Sequence, residues 1–381
     1  MHNLNHRISF SDEQAMLLDS ATSFCRAKSS IQAVRSALLT DQGFDAAVWR
    51  EMVALGWAGI AIPEAHGGSG LTLAEAATIC EPMGRHLLST PFAGTQCLIQ
   101  GLLAGASSAQ QAAWLPGLNQ GAIGTVALFE SDGNWQLDDI ETRAVLQGDA
   151  IQLSGAKTLV CDAAVAEMML VSVALDGAPA LVLVRASDLQ AQRIQREVVI
   201  DETRRSYRVD LTGVSVPATA LIRGEAARLA LSAVRHAALL LATAEAAGGI
   251  AGVLDVVVDY LNLRTAFGRK IGAYQSLKHP AAEILIGLER SRSHLYHAAT
   301  LLAAGEDAEI ALRMAKAESG DSFVFAGDRA VQFHGGFGFT YECDAQLYLR
   351  RALWLQFSYG DAAHHRRRLA DLLLPVGATQ R

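Results

Sequence analysis

The apolar residues of this chain change their spacing twice, near position 122 and near position 217, and few architectures accommodate both changes. Upstream, SDEQAMLLDSATSFCRA, FDAAVWREMVALGW and LTLAEAATICEPMG place apolar side chains at helical spacing, and Ser11 with the acidic residues behind it predicts a helix start. GIAIPEAHGGSG, carrying Pro63 and three glycines, is a connector that cannot continue a helix. From 122 to 217 the period drops toward two: TVALFE, AVLQGDAIQLSG, MMLVSVALDGAPALVLVR and SYRVDLTGVSVP are short β-favouring runs broken by Gly-Asp and Asp-Gly turns, which predicts a hairpin-rich sheet ended by Pro217. Helical periodicity then returns, first in a long Ala/Leu-rich run through about Tyr260. The expectation is an α+β chain of three lobes: an all-α lobe at 1–120, a β lobe at 121–222 and a helical lobe at 223–381. With 381 residues at 51% hydrophobic content there is material for more than one core. Both helical lobes hold more apolar surface than one amphipathic face buries, so packing against each other and against a partner subunit is expected.

The formal net charge of -7, without a long basic tract, argues against nucleic acid and anionic membranes as partners. HHRRR at His364 to Arg368 reads as a solvated helix face. No basic-then-apolar leader opens the sequence, and the longest apolar run, LALSAVRHAALLLATAEAAGGIAGVLDVVV, is interrupted by Arg235, His236, Glu245 and Asp255, as in a buried helix rather than a membrane span. Cys25, Cys80, Cys97, Cys161 and Cys343 show no metal-type spacing, so a reducing cytoplasm and no metal site are expected.

Three stretches could carry chemistry. RTAFGRKIGAYQSLKHPAA joins two helical runs, and the Arg264 guanidinium offers a fork of donors suited to a phosphate; ordinary surface ions at a helix turn are the competing reading. AVQFHGGFGFTYECD sets Gly335, Gly336 and Gly338 among aromatics, where backbone can approach a flat ligand, although a helix-helix connector has the same composition. It is not G-x-G-x-x-G after a strand. His334 and His236 read as packing residues, and neither HH at 364 nor HPAAE has metal-ligand spacing. The third stretch ends in Tyr359-Gly360-Asp361.

LGWAGIAIPEAHGGSG, EPMGR, LSGAKTLVCDAAVAE, VDLTGVSVP, RTAFGRKIGAYQSLKH and AVQFHGGFGFTYE occur in the order of one known family, and R-x-x-F-G followed by Q-x-x-G-G-x-G is a specific combination. The chain resembles the acyl-CoA dehydrogenases over essentially its whole length. That resemblance implies an N-terminal helical domain, a middle β-barrel or sandwich domain and a C-terminal four-helix bundle, with FAD at a subunit interface. It assigns Arg264 and Gln275 to the pyrophosphate and adenine half of FAD and sets Phe267 against the cofactor. Gln332, Gly335 and Gly336 would approach the neighbouring subunit's FAD. The implied reaction is α,β-dehydrogenation of an acyl-CoA, with electrons passed to electron-transfer flavoprotein and the chain assembled as a homodimer, homotetramer or heterotetramer.

The resemblance also exposes a departure. Many family members place a catalytic glutamate before a glycine in Y-E-G-T; here matching from Gly335 lands on Tyr359, then Gly360 and Asp361. A phenol with an ordinary pKa of about 10 is a poor base for an acidified α proton unless its surroundings shift it. The family's second base location lands near Ala238, leaving Glu245, Asp361 and Tyr359 as candidates. ALFESDGNW stands where T-E-P-x-x-G-S-D is usual. GFTYECDAQLYLRRA and DETRRSYRVDLTGVSVP look like members that degrade sterol side chains and related bulky acyl-CoAs, some built of two different subunits of which one supplies the base. A catalytically incomplete or flavin-free partner subunit is therefore the alternative reading. A related flavoenzyme such as a nitroalkane oxidase or a flavin-dependent monooxygenase is a third.

Overall fold

The computed structural model describes residues 11–374. The expected lack of a leader concerns residues outside that range. The N-terminal part is helical: α1 (Asp12–Lys28), α2 (Ile31–Leu38), α3 (Ala46–Ala54), α4 (Leu73–Arg85), α5 (Phe92–Gly105) and α6 (Ser108–Asn119). Ser11 caps α1 as its position predicts, accepting from the Gln14 amide while the Gln14 side chain accepts from the Ser11 amide.

The middle part is a mixed β domain. Its strands are β1 (Gly124–Ala127), β2 (Arg143–Gln147), β3 (Ala150–Ser154), β4 (Ala156–Cys161), β5 (Met168–Leu175), β6 (Ala178–Arg185), β7 (Ile194–Glu197), β8 (Ser206–Asp210), β9 (Ser215–Pro217) and β10 (Leu221–Arg223). The Gly-Asp and Asp-Gly turns join β2 to β3 and β5 to β6 as antiparallel hairpins. Beside its hairpins the seven-stranded sheet holds parallel pairs, because β1 and β2 both run parallel to β5. One feature departs from the sequence reading: Pro217 does not end the β region, since β10 follows it and pairs antiparallel with β6. A separate three-stranded sheet has the order β4-β8-β7.

The C-terminal part is a bundle of long helices: α7 (Glu225–Leu263), α8 (Gln275–Ala303), α9 (Glu309–Phe333), α10 (Ala345–Phe357) and α11 (Ala362–Leu373). Between α7 and α8 the chain makes a two-stranded hairpin, β11 (Thr265–Ala266) with β12 (Arg269–Lys270). α7 is long and apolar enough to cross a membrane by composition alone. Its most apolar window is 94% buried inside the protein, however, so it is a core helix.

By contacts the described chain divides into two compact units. One contains α3, α5, α6, both sheets and α7 up to Ala238. In it the Thr95 hydroxyl on α5 donates to the Gly124 carbonyl of β1 and accepts from the Gly124 amide, both at 3.1 Å. The other contains α1, α4, α7 from Leu239 onward and α8–α11. Here helices meet backbone to backbone. A methyl group on Gly248 would fall 1.7 Å from the Glu81 carbonyl oxygen, and one on Gly84 would fall 2.0 Å from that of Glu245. The small residues of α7 thus serve close packing against α4.

Candidate active site

The β11–β12 hairpin carries the first predicted cofactor residues outward. Tyr260 and Arg264 link the end of α7 to the hairpin through the Arg264 amide, and the Ile271 amide returns a bond to the Arg264 carbonyl at 2.9 Å. Phe267 sits at the tip with φ 52° and is 96% exposed. An L-residue in the left-handed region costs about 1 kcal/mol or more, and an exposed phenyl gains nothing from its own chain. Arg269 stacks on the Tyr274 ring at 4.0 Å, and Arg264, together with Gln275 at the first turn of α8, is exposed.

Gln332, Gly335 and Gly336 lie at the end of α9 and in the turn that follows, all exposed. Nothing of the chain lies within 4 Å of a methyl added at Gly335 or Gly336. The protein's own packing therefore does not require glycine at Gly336, whereas Gly335, at φ 62°, has a backbone reason. His334 is buried, its Nδ1 is 2.7 Å from the Ala330 carbonyl, and its ring stacks on Tyr260 at 3.9 Å. That packing role agrees with the sequence reading, and it brings the end of α9 beside the end of α7. Arg35 supports the following loop by donating to the Tyr341 and Glu342 carbonyls and the Asp344 carboxylate. An exposed aromatic tip, flanking cations and an unfilled glycine turn suit a large planar, phosphate-bearing group such as FAD.

Of the three candidate bases, Glu245 lies on α7, whereas Tyr359 and Asp361 share the turn between α10 and α11. Glu245 is buried in the middle of α7, with its carboxylate bonded to the equally buried Arg351 guanidinium of α10. Asp361 is the N-cap of α11, accepting from the His364 amide at 2.7 Å. Tyr359 lies between α10 and α11 at φ 59°, followed by Gly360 at φ 108°. HHRRR is only partly a solvated face: Arg366 is exposed, but His365 is 1% exposed. Burial and the nearby Lys316 and Arg313 cations push the His365 imidazole down to about 3.

Two anchoring residues escaped the sequence reading. Glu130, within ALFESDGNW, is buried and accepts from Lys157 Nζ at 2.7 Å and from the Thr142 and Glu141 amides at 2.7 and 2.6 Å. Burial alone would raise its carboxyl, but Lys157 and the Thr142 and Glu141 donors hold it below the usual range. Lys316, on α9, is the second. A lysine inside an apolar helical stripe has no sequence signature of its own; a charged residue at a core position is the one signal that could have found it.

A family model for the acyl-CoA dehydrogenase C-terminal domain matches residues 227–374, and one for the N-terminal domain matches residues 11–122. The acyl-CoA dehydrogenase FadE12 of Mycobacterium tuberculosis is 31% identical over 309 residues, covering 77% of this chain and 79% of its own length. The chain belongs to the acyl-CoA dehydrogenase family. Acyl-CoA dehydrogenase IpdE2 of Mycolicibacterium smegmatis is 29% identical over 344 residues, 90% of this chain and 93% of that protein. Among solved structures, a variant of the Tcur3481-Tcur3483 steroid ACAD superposes with a TM-score of 0.85 at 26% identity over 95% of this chain and 98% of its own. The ChsE4-ChsE5 complex of M. tuberculosis gives 0.88 at 23% identity, covering 98% of this chain and 100% of that one, a likeness of fold. The family's helical, β and helical-bundle architecture is the one described above.

Proposed function

We propose that the chain is a subunit of an FAD-dependent acyl-CoA dehydrogenase acting on a bulky, steroid-derived acyl thioester, with electron-transfer flavoprotein as electron acceptor. The dehydrogenase reading is supported by similarity to acyl-CoA dehydrogenase IpdE2 over 90% of the chain, and the steroid class by the likeness to the Tcur3481-Tcur3483 steroid ACAD. When bound, the flavin supplies the hydride acceptor that no side chain provides. The chain's own residues would hold and orient it. Arg264 would hold a pyrophosphate through its donor fork, Gln275 would hydrogen-bond nearby, and Phe267 would cover an apolar face. Gln332, Gly335 and Gly336 would meet the cofactor of an adjoining subunit, where an open glycine turn lets backbone approach a ring.

One observation favours the narrower reading that a partner subunit supplies the base. Both candidate carboxylates already have structural duties, Glu245 with Arg351 and Asp361 as a helix cap. That leaves Tyr359 at the family's position for the acid. On this reading the assembly is a heterotetramer; a homodimer or homotetramer goes with a chain that works alone. A cytoplasmic location accords with five cysteines that are all free. Co-expression with candidate partner subunits, followed by native mass and an absorbance spectrum, tests the proposal. A flavin band that bleaches on adding acyl-CoA only in the mixed complex supports a base-less partner. Bleaching by the chain alone supports a complete enzyme. Oxygen consumption without a thioester would instead indicate an oxidase or monooxygenase.

A further inference from the structure

Lys316 is 2% exposed, and its side-chain nitrogen meets main-chain carbonyls rather than a carboxylate. It donates to the Gln356 carbonyl at 3.1 Å and to the Gly360 carbonyl at 2.9 Å. Gln356 lies in the last turn of α10, where carbonyls lack helical partners and the helix dipole favours a cation. Gly360 lies beyond Tyr359. One amine therefore bridges the two sides of a turn whose backbone is left-handed at consecutive residues, φ 59° at Tyr359 and 108° at Gly360. At Gly360 a methyl would come within 2.7 Å of the His364 ring and 3.0 Å of His365 Nε2. Strained backbone of this kind persists only where its surroundings over-determine it. Asp361 fixes the far side by capping α11.

We propose that Lys316 is a positioning residue for Tyr359: its nitrogen ties the end of α10 to the turn before α11 and so fixes the strained backbone from which the Tyr359 side chain projects. The tie also responds to protons. Burial pushes the Lys316 ammonium down to about 7, against the pull of Asp361 and Asp321. The other charged or titratable groups around it are Arg313 on α9 and His364 and His365 on α11, and both imidazoles are held below their ordinary value, first by burial. A neutral amine still has an N–H for each carbonyl. Once water reaches the amine its ordinary proton affinity returns, so proton uptake favours release of the turn and proton loss favours the tied state.

The inference deepens the dehydrogenase reading, because that reading alone makes the placement of Tyr359 matter to the reaction, but the tie itself needs no flavin. Its test is fluorine NMR of the full chain carrying para-fluorophenylalanine at position 359. In the otherwise native chain the resonance is expected to move with pH near neutrality, as Lys316 gains or loses its proton. The response should vanish in Lys316→Met and persist in His364→Gln. A resonance that is flat between about pH 6 and pH 9 in the native background overturns the proposal, as does a response that survives Lys316→Met or is lost in His364→Gln. The native arm decides even if Lys316→Met fails to fold. A flat response in a chain that binds flavin would remove the tie and leave the dehydrogenase reading standing, while a titrating chain without flavin would do the reverse.

Discussion

Glu245 shows at the level of a single residue how a sequence candidate changes meaning once its neighbours are known. Its carboxylate and the Arg351 guanidinium are both buried and bonded to each other. Removing one member leaves a buried charge without its partner, so Glu245→Ala is expected to destabilise the fold by about 3–5 kcal/mol in urea denaturation. The double variant Glu245→Leu, Arg351→Met should recover much of that loss. Unchanged stability in Glu245→Ala, with flavin reduction abolished, would instead restore Glu245 as a base. His365 gives a prediction in pH. Its folded imidazole is pushed from the ordinary 6.5 down to about 3. The unfolded chain therefore binds the extra proton in that window, and the stability tied to the neutral ring is present above 6.5 and lost as pH falls toward 3. Replacing His365 by Gln should flatten the acid limb of the stability curve, measured by denaturation at a series of pH values. The sequence made Glu245 visible as an acid on an apolar helix, but its Arg351 partner is distant in the chain and could not be read. Phe267, Gly335 and Gly336 stood out in the sequence as an aromatic residue and glycines in connectors between helical runs, and their expected place against a cofactor rests on the family resemblance.

Among the elements, α7 and the hairpins were the most legible. A run that is apolar on every side has to become a buried helix, and Gly-Asp or Asp-Gly between alternating strands has to become a turn. β4 and β7 were missed as strands because Lys157 interrupts one and Gln195, Arg196 and Glu197 make the other polar. Lys157 is explained by Glu130 and the Ser172 hydroxyl, which accept from its ammonium at 2.7 and 2.9 Å. The parallel pairing of β1 and β2 with β5 joins strands that are distant in sequence, so no local turn announces it. The small residues of α7 serve close helix contact, as Gly248 of α7 and Gly84 of α4 show where the two helices meet. Gly248→Ala should therefore force α4 and α7 apart and cost about 1–3 kcal/mol or more. Thermal unfolding checks this, and an unaltered midpoint would mean the helices separate freely.

For the molecule as a whole, order along the chain was enough to foresee a helical part, a β part and a helical bundle. Family motifs supplied the proposed flavin-binding residues. Which chain holds the proton-abstracting group was not legible, because the family's glutamate position falls on Tyr359. The two candidate acids, Glu245 and Asp361, are occupied in structure, and Tyr359 stands in a turn held by Lys316. The account therefore expects the purified chain to need a second acyl-CoA dehydrogenase subunit for turnover. It also expects Arg264→Ala to weaken flavin retention in the assembled complex by one to two orders of magnitude, about the loss of one charge-assisted phosphate contact, as measured by flavin released on dilution. The most direct measurement is the visible absorbance of the chain co-purified with its partner, recorded before and after a bulky acyl-CoA is added. The account predicts a bound-flavin band that bleaches. Material that carries no flavin, both alone and in every complex it forms, would contradict it.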